Sequence, residues 1–414
     1  MATLITNIKQ LITGYDTGKA LRGPEMAALP GIEYAYLIAE GEQIAGFGKM
    51  SDLKQKGTDF TDHLDATGRM VLPAWCDSHT HLVFAGSRES EFVDKIQGMS
   101  YADIAAKGGG IVNSAKKLNE TSEDELFIQS YHRLQEIIAL GTGAIEIKSG
   151  YGLTVEGELK MLRVIRRLKN ASRIPIKATF LGAHAIPPAY KEDREGYIQL
   201  IIHHMLPQIG RESLADYIDV FCEKGFFTPE ETERICIAGK EYGLKSKLHV
   251  NQLNSIGGIQ SGIKLNSISL DHLETLTDEE ISLLSSSDKT ICSLLPSAAF
   301  FLRMQYQPAR RLIDSGCAVA LASDYNPGSS PSGNMNFVVA LSCIQMKMLP
   351  EEAINAATIN GAYAMELASE VGTVSPGKKA NLIITKPIPS LAYLPYAFGS
   401  NLIDKVMLGG EWMN

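Results

Sequence analysis

The sequence lacks the cysteine patterns of disulfide frameworks and zinc clusters, because its 6 cysteines are scattered and none forms a C-x-x-C pair. It has no signal-peptide pattern and no apolar run near the roughly 20 residues of a membrane-spanning helix. Basic residues are fewer than acidic residues, because 39 Lys and Arg against 47 Asp and Glu give a net charge of −8. We therefore expect a soluble cytoplasmic protein that binds neither nucleic acid nor anionic membranes.

The composition is that of an ordinary globular protein, with 45% hydrophobic and 21% charged residues over a length of 414 that allows a large core. The two ends of the chain differ from its middle. Short β-like runs, cut by glycine and proline, fill residues 1–66 and again residues 376–414. We expect these ends to pair in space, and residues 67–375 to form a separate α/β domain.

Apolar, β-branched runs alternate with helical patterns through that middle part. The candidate strands are residues 70–76, 143–147, 176–181, 218–222, 246–250, 268–271, 290–294 and 318–322. Helices are predicted over 121–140, after the capping pattern Ser122-x-x-Glu125, over 154–169, and over 229–242. Eight such repeats favour a (β/α)8 barrel. An open doubly wound sheet is the alternative, less favoured because no G-x-G-x-x-G follows the first strand.

The sharpest chemical signal is the sequence DSHTH at residues 77–81, directly after the first candidate strand. Side chains two positions apart on a strand point to the same face, so His79 and His81 can converge on one cation. His249 ends the fifth candidate strand, and Asp324 follows the eighth. Barrel active sites lie at these carboxyl ends. Three imidazoles and one carboxylate suit Zn²⁺ or Fe²⁺, although each residue alone could be a structural histidine or a turn aspartate.

This order of residues resembles the amidohydrolase superfamily, in which H-x-H follows strand 1, histidines follow strands 5 and 6, and an aspartate follows strand 8. Here His272 follows strand 6. The resemblance implies a TIM-type barrel whose two chain ends build a small composite β-sandwich. Binuclear members carry a bridging lysine on strand 4, where this chain has only Lys224 beside a charged neighbour. We therefore expect one Zn²⁺ or Fe²⁺/Fe³⁺ ion per subunit.

Further segments are similar to the imidazolonepropionase family within that superfamily. They are residues 77–89 (DSHTHLVFAGSRE), 108–111 (GGGI), 146–153 (EIKSGYGL), 180–185 (FLGAHA) and 323–329 (SDYNPGS). The resemblance implies a metal site formed by His79, His81, His249 and Asp324. It implies a substrate site formed by Arg88, Tyr101, Tyr151, His184, Gln252, Asn326, Gly328 and Ser329.

The activity implied by this resemblance is hydrolysis of the ring amide of 4-imidazolone-5-propanoate to N-formimidoyl-L-glutamate in histidine degradation. A bound metal ion would lower the pKa of water from about 15.7 to about 7. Asp324 would accept the proton, and His272 would hydrogen-bond the water or the developing oxyanion. Gln252 stands where some relatives have a carboxylate, and an amide can orient groups but cannot act as a base.

Three further expectations concern residues around the substrate. Arg88 would bind the propanoate bidentately through its planar guanidinium. His184 could donate a hydrogen bond to a ring oxygen, and Lys148 is expected to support the barrel rather than to react. Two alternatives stay open: a related purine or pyrimidine deaminase, and a non-catalytic binding protein on the same scaffold. The expected partners are a small anionic substrate and, by family resemblance, a second copy in a homodimer.

Overall fold

In the computed structural model, which describes residues 2–53, 60–99 and 109–413, the chain forms two sheets of eight strands each. The strands are β1 (Ala2–Ile12), β2 (Gly31–Glu40), β3 (Gln43–Lys49), β4 (Asp62–Asp65), β5 (Met70–Pro73), β6 (Trp75–Thr80), β7 (Thr142–Lys148), β8 (Ile176–Ala183), β9 (Tyr217–Cys222), β10 (Lys245–Val250), β11 (Ser269–His272), β12 (Ile291–Leu294), β13 (Val319–Leu321), β14 (Leu382–Thr385), β15 (Ile403–Leu408) and β16 (Glu411–Trp412).

The helices surround one of these sheets. They are α1 (Glu89–Ile96), α2 (Ile111–Glu120), α3 (Glu123–Ala139), α4 (Val155–Ala171), α5 (Arg194–Leu200), α6 (Leu206–Glu212), α7 (Pro229–Lys240), α8 (Gly258–Lys264), α9 (Asp278–Ser286), α10 (Pro296–Leu302), α11 (Ala309–Asp314), α12 (Met335–Met346), α13 (Pro350–Ala357), α14 (Ile359–Ala364) and α15 (Tyr393–Tyr396). Single 3-10 turns span Gly23–Ala27, Met50–Asp52 and Pro188–Tyr190, and a π-helical turn spans Ile201–Met205.

Strands β6 to β13 are parallel and pair in chain order, which makes a barrel. Backbone hydrogen bonds at the carboxyl ends of β6 and β13 close it. The His81 N–H donates to the Tyr325 carbonyl at 2.9 Å, and the Asp324 N–H donates to the His79 carbonyl at 3.0 Å. The expected (β/α)8 barrel is confirmed, and its closing seam carries two of the histidines and the aspartate singled out by the sequence.

The second sheet joins both ends of the chain, as expected. Its order is β16-β15-β14-β5-β1-β2-β3, and β4 pairs with β1. The link between the two ends is the antiparallel pair of β14 with β5. Apolar side chains from both ends fill one core, among them Ile5, Leu37, Leu382 and Met407. The limits at residues 66 and 376 stay predictions.

The first predicted barrel strand, residues 70–76, is wrong in its first half. Met70–Pro73 belongs to the sheet of the chain ends, and the barrel begins at Trp75. Between them, the Ala74 N–H donates to the Asn381 carbonyl at 2.9 Å. The residues on both sides of Ala74 are buried, so the apolar stretch of the sequence is continuous there. Hydropathy therefore does not reveal that the chain passes from one sheet to the other at this point. The other seven predicted runs each overlap one barrel strand.

The predicted helices correspond to α3, α4 and α7. At α3, the Ser122 hydroxyl accepts from the Glu125 N–H at 3.2 Å, which is half of the predicted capping box. At α7, Thr228 and Glu231 form both bonds of such a box. Within the described part of the chain, no helix is both long enough and apolar enough to cross a membrane.

Candidate active site

Three histidine side chains meet at the carboxyl ends of the barrel strands. His79 lies in β6, His81 directly follows it, and His249 lies in β10. Candidate ligand nitrogens of the three rings lie within 4.8 Å of one another, and all three residues are buried. The ring centroids of His79 and His249 are 4.5 Å apart. The structure therefore brings together the three imidazoles that the sequence singled out.

Each of these rings has a fixed orientation because its Nδ1 atom faces an acceptor. The pairs are His79 with Asp271 Oδ2 at 2.6 Å, His249 with Asp219 Oδ2 at 2.9 Å, and His81 with the Ser149 carbonyl oxygen at 3.3 Å. An Nδ1 that donates leaves the lone pair on Nε2, the form in which histidine binds a metal. Burial lowers the pKa of all three rings well below the usual value, which keeps them neutral.

The Nε2 atoms of His79 and His249 are buried and have no hydrogen-bond partner among the residues that the structure describes. Unpaired buried polar atoms are costly in a folded protein and call for a missing partner. Neutral imidazole nitrogens that converge on one point are suitable ligands for a first-row divalent metal. The donor set therefore fits a metal ion.

Asp324 adds a carboxylate to this group. It follows β13 in the left-handed backbone region, with φ of 55°. Its Oδ1 lies 3.5 Å from His79 Nε2 and 3.7 Å from His81 Nε2, and its Oδ2 accepts from the Ser329 hydroxyl at 3.2 Å. Burial raises the pKa of Asp324 to about 6, and a cation beside the carboxylate would lower it again.

A fully buried lysine lies beneath the histidines. Lys148 donates to Glu146 Oε1 at 2.6 Å and to Asp219 Oδ2 at 2.8 Å, and it lies 3.4 Å from Asp271 Oδ2. Burial alone would lower the pKa of Lys148, but the surrounding carboxylates, Asp219 first, raise it far above its usual value. Lys247 contacts Glu146 from the other side. Lys148 therefore contacts both carboxylates that face the Nδ1 atoms of His79 and His249.

The sequence analysis missed Asp219, Asp271 and Lys247. One signal could have found Asp219, because it is a charged residue inside β9, whose other residues are apolar or aromatic (YIDVFC). A charge in the middle of a buried strand is stable only when it is paired. Lys224, weighed as a bridging lysine on strand 4, is exposed, and its backbone N–H donates to Glu223 Oε1 at 2.8 Å.

His272 lies beside the triad at the end of β11. Its ring centroid is 5.2 Å from that of His249 and 5.7 Å from that of His79. Its Nδ1 is 3.3 Å from Glu274 Oε1, which also accepts from the Gln307 amide at 2.9 Å. Burial opposes a charge on His272, yet the Glu274 carboxylate raises its pKa above the usual value. An imidazole that Glu274 biases toward its protonated form thus lies close to the other three histidine rings.

A cavity of about 410 Å³ lies next to the histidine site. Six of the predicted substrate residues line it: Arg88, Tyr151, His184, Gln252, Gly328 and Ser329. Two of these reach the triad, since the His184 ring stacks on His81 at 5.4 Å and the Tyr151 ring meets His81 edge-on at 5.7 Å. Tyr101, also predicted to bind substrate, lies outside the described residues.

Asn326 lies behind the described lining of this cavity, where its Oδ1 accepts from the hydroxyl of the lining residue Tyr151 at 3.4 Å. Its side-chain oxygen accepts from the N–H groups of Gly328 and Ser329, both at 2.8 Å, and its amide donates to the Asp324 carbonyl at 2.7 Å. An Asn side chain that bonds the backbone two and three residues onward stabilises a turn. Asn326 therefore shapes the loop that presents Gly328 and Ser329.

Arg88 forms one wall of the cavity and is already paired. Its Nε and Nη2 donate to Glu91 Oε2 at 2.9 and 2.5 Å, and Glu91 Oε1 accepts from the Gly110 N–H at 2.9 Å. Gly328 packs against the other edge of the guanidinium, where a Cβ atom would lie 2.4 Å from Arg88 Nη1. Only glycine at position 328 leaves room for Arg88 in this place.

His184 has a defined tautomer that bears on its predicted role at the substrate. Its Nδ1 donates to the Gly150 carbonyl at 2.9 Å, and burial lowers its pKa to about 4. A neutral ring that donates through Nδ1 has only an acceptor at Nε2. In this tautomer the neutral His184 ring offers Nε2 as an acceptor for a ring N–H of the substrate.

A buried glutamate, also missed by the sequence analysis, holds the loop that carries Gln252. Glu223 Oε2 accepts from the N–H groups of Leu253 and Asn254 at 2.9 and 3.2 Å, and its Oε1 accepts from the Asn254 amide at 3.0 Å. These bonds fix the backbone directly after Gln252, whose side chain faces the cavity.

Residues 227–413 match the Amidohydrolase family. The Imidazolonepropionase of Flavobacterium johnsoniae is 60% identical over 99% of this chain and 100% of its own length. The Imidazolonepropionase of Christiangramia forsetii is 54% identical over 99% and 100%, respectively. Among solved structures, the E. coli guanine deaminase has a TM-score of 0.73 at 15% identity, covering 100% of this chain and 99% of its own. An Arthrobacter aurescens atrazine chlorohydrolase complexed with zinc has a TM-score of 0.72 at 15% identity, covering 99% and 94%.

Proposed function

Since this chain belongs to the imidazolonepropionase family of amidohydrolases, we propose that it hydrolyses the ring amide of 4-imidazolone-5-propanoate to N-formimidoyl-L-glutamate in histidine degradation. The observation that carries the proposal is the position of the cavity. The cavity of about 410 Å³ has Arg88 in its wall, and two of its lining residues, His184 and Tyr151, contact the His81 ring of the triad. That space suits a small ring with an anionic tail.

The family and the triad indicate a metal ion, and we propose that one Zn²⁺ or iron ion per subunit is held by His79, His81, His249 and Asp324. Imidazole and carboxylate suit both metals, so availability decides between them. When bound, such an ion supplies Lewis acidity and lowers the pKa of water to about 7.

The protein's own residues supply the proton transfers. Hydrolysis adds water to the ring carbonyl carbon and breaks its bond to the ring nitrogen, which must gain a proton as the carboxylate forms. Asp324 is suited to take the proton from the attacking water and return it to that nitrogen, because its Oδ2 is held by Ser329 beside the cavity. His272, whose pKa is raised by its contact with Glu274, would stabilise the developing oxyanion.

Other residues hold the substrate in place. His184 would accept a hydrogen bond from a ring N–H, and Gln252 would orient the ring amide without acting as a base. Arg88 would contribute its Nη1 edge to the propanoate, since its other edge is bonded to Glu91. The cytoplasmic location and the homodimer stay predictions from the sequence.

The test follows loss of the substrate ring absorbance and formation of N-formimidoyl-glutamate by mass spectrometry. The protein is assayed as purified, after chelation of its metal, and after addition of Zn²⁺ or Fe²⁺. We expect turnover that is lost with the metal and restored by one of the two ions. Ammonia release from guanine or cytosine without ring opening of the imidazolone would instead favour a deaminase. Full turnover of the metal-free protein would refute the metal site.

A further inference from the structure

We infer that Lys95 supplies the net positive charge of the substrate cavity and thereby selects substrates with an anionic tail. The inference rests on the proposed function and deepens it. It concerns a residue that the sequence motifs did not single out. Lys95 lies in α1, seven residues after Arg88, and both side chains line the same cavity. Arg88 is the residue directly before α1, and seven positions correspond to about two turns of helix.

The charge of Arg88 is balanced before any substrate binds. Two of its donors bond Glu91 Oε2, and the Glu91 side chain is held in place by the Gly110 N–H. Arg88 and Glu91 together therefore contribute no net charge. The guanidinium can still shape the cavity and donate through Nη1, but it does not by itself make the cavity cationic.

Lys95 is the other cation among the described residues that line the cavity. Among the residues that the structure describes, its ammonium group has no ion-pair or hydrogen-bond partner, and it lies 5.9 Å from the centre of the Phe301 ring. The described lining of the cavity contains no Asp or Glu, and the lining residue His184 is neutral. Lys95, Arg88 and Glu91 thus sum to one positive charge, which matches one carboxylate of the substrate.

The surroundings of Lys95 also favour an incoming anion. Burial, and then the nearby charge of Arg88, lower the pKa of Lys95 from its usual value. A carboxylate placed between the two cations would remove the repulsion between them. An opposite charge in a partly desolvated cavity also interacts more strongly than one at an open surface. The predicted contribution acts on the tail of the substrate and not on the ring that reacts.

The experiment compares Lys95→Met with wild type on two substrates, imidazolone propanoate and its propanamide analogue. We expect kcat/KM on the acid to fall roughly 5- to 20-fold, between the values for exposed ion pairs and for buried charge-assisted hydrogen bonds. The loss should appear mainly in KM, because binding of a remote group acts on ground and transition states alike. Activity on the propanamide should change little.

Three further variants complete the design. Lys95→Arg keeps the charge and should retain most of the activity on the acid. Lys240→Met, an exposed lysine of α7, removes the same charge far from any assigned role and should behave as wild type. In Arg88→Met, the loss on the acid should become larger when Lys95→Met is added. Metal content and thermal unfolding are measured for each protein to exclude damage to the fold.

Each outcome has a separate meaning. A wild-type protein without activity on the acid refutes the proposed function itself. A wild-type protein that is active on the acid, with Lys95→Met equal to it on both substrates, overturns the role of Lys95 alone. An equal loss on both substrates overturns it as well, because that result assigns Lys95 to the stability of α1 rather than to recognition of the charge.

Discussion

Lys148 and His249 are bonded to the same atom. The Lys148 ammonium donates to Asp219 Oδ2 at 2.8 Å, and the His249 Nδ1 lies 2.9 Å from that oxygen. The relationship is repeated at Asp271, whose Oδ2 lies 2.6 Å from His79 Nδ1 and 3.4 Å from Lys148 Nζ. One buried cation therefore fixes the two carboxylates that orient two of the proposed metal ligands.

Lys148→Met should weaken metal binding although Lys148 does not touch the metal. Loss of a group that orients the ligands typically costs about 10- to 100-fold in metal affinity. The variant should also be less stable, by about 3–5 kcal/mol, because it leaves buried carboxylates without their cation. Competition with a chromogenic chelator measures the affinity, and denaturant unfolding of the metal-free protein measures the stability. Lys245→Met, which removes an exposed lysine, is the matched control.

Changing His249 to Ala should remove most of the bound metal and nearly all turnover while the barrel still folds. Its Nε2 is one of the unpaired buried atoms, and its loss leaves the proposed site one imidazole short. Metal content after gel filtration and circular dichroism are the measurements. His203→Ala, at an exposed position, should keep both metal and activity. Stoichiometric, tightly held metal in His249→Ala would place the site elsewhere.

Asp324→Asn should separate metal binding from chemistry. Asn keeps the shape and one oxygen of the side chain, but it cannot accept a proton at neutral pH. We expect metal to be partly retained and kcat to fall by about 10²–10⁴-fold, the usual contribution of general acid–base catalysis. Turnover is normalised to the metal content of each preparation. If metal-loaded Asp324→Asn kept a near-normal kcat, the proton-transfer role would belong to His272 instead of Asp324.

Glu223→Ala should impair substrate use without affecting the metal. It removes the acceptor for the backbone after Gln252 and leaves buried donors unpaired, which costs about 1–3 kcal/mol of stability. Because Gln252 would no longer be held, we expect KM for the substrate to rise. A loss of binding free energy within this range corresponds to a rise of roughly 10-fold. Glu223→Gln keeps an acceptor oxygen and should be intermediate, and Glu230→Ala at an exposed position should match wild type. Unchanged KM in a folded Glu223→Ala protein would show that the loop needs no such support.

The features predicted best from the sequence are those that depend on residues close together in the chain. The spacing of His79 and His81, the position of His249 at the end of a strand, and the alternation of strands with helices all follow from short-range patterns. Residues that act across the barrel were harder to predict. Asp219, Asp271 and Lys148 lie on three different strands, and only the closed barrel brings them together. The pairing of Arg88 with Glu91 was missed because an Arg in a motif indicates a charge but not its partner.

The seam between β6 and β13 has a consequence for how the protein assembles. Asp77 accepts from the Ser323 N–H at 3.0 Å and from its hydroxyl at 2.6 Å, and the two residues are 246 positions apart in the chain. Contacts of such long range form late, because the entropy of closing the intervening loop opposes them. His79, His81 and Asp324 lie on this seam, so a chain whose last barrel strand is still missing cannot present the complete set of proposed ligands. Capture of the metal therefore reports that synthesis and folding have passed the eighth strand, and the bound ion then opposes reopening of the ring.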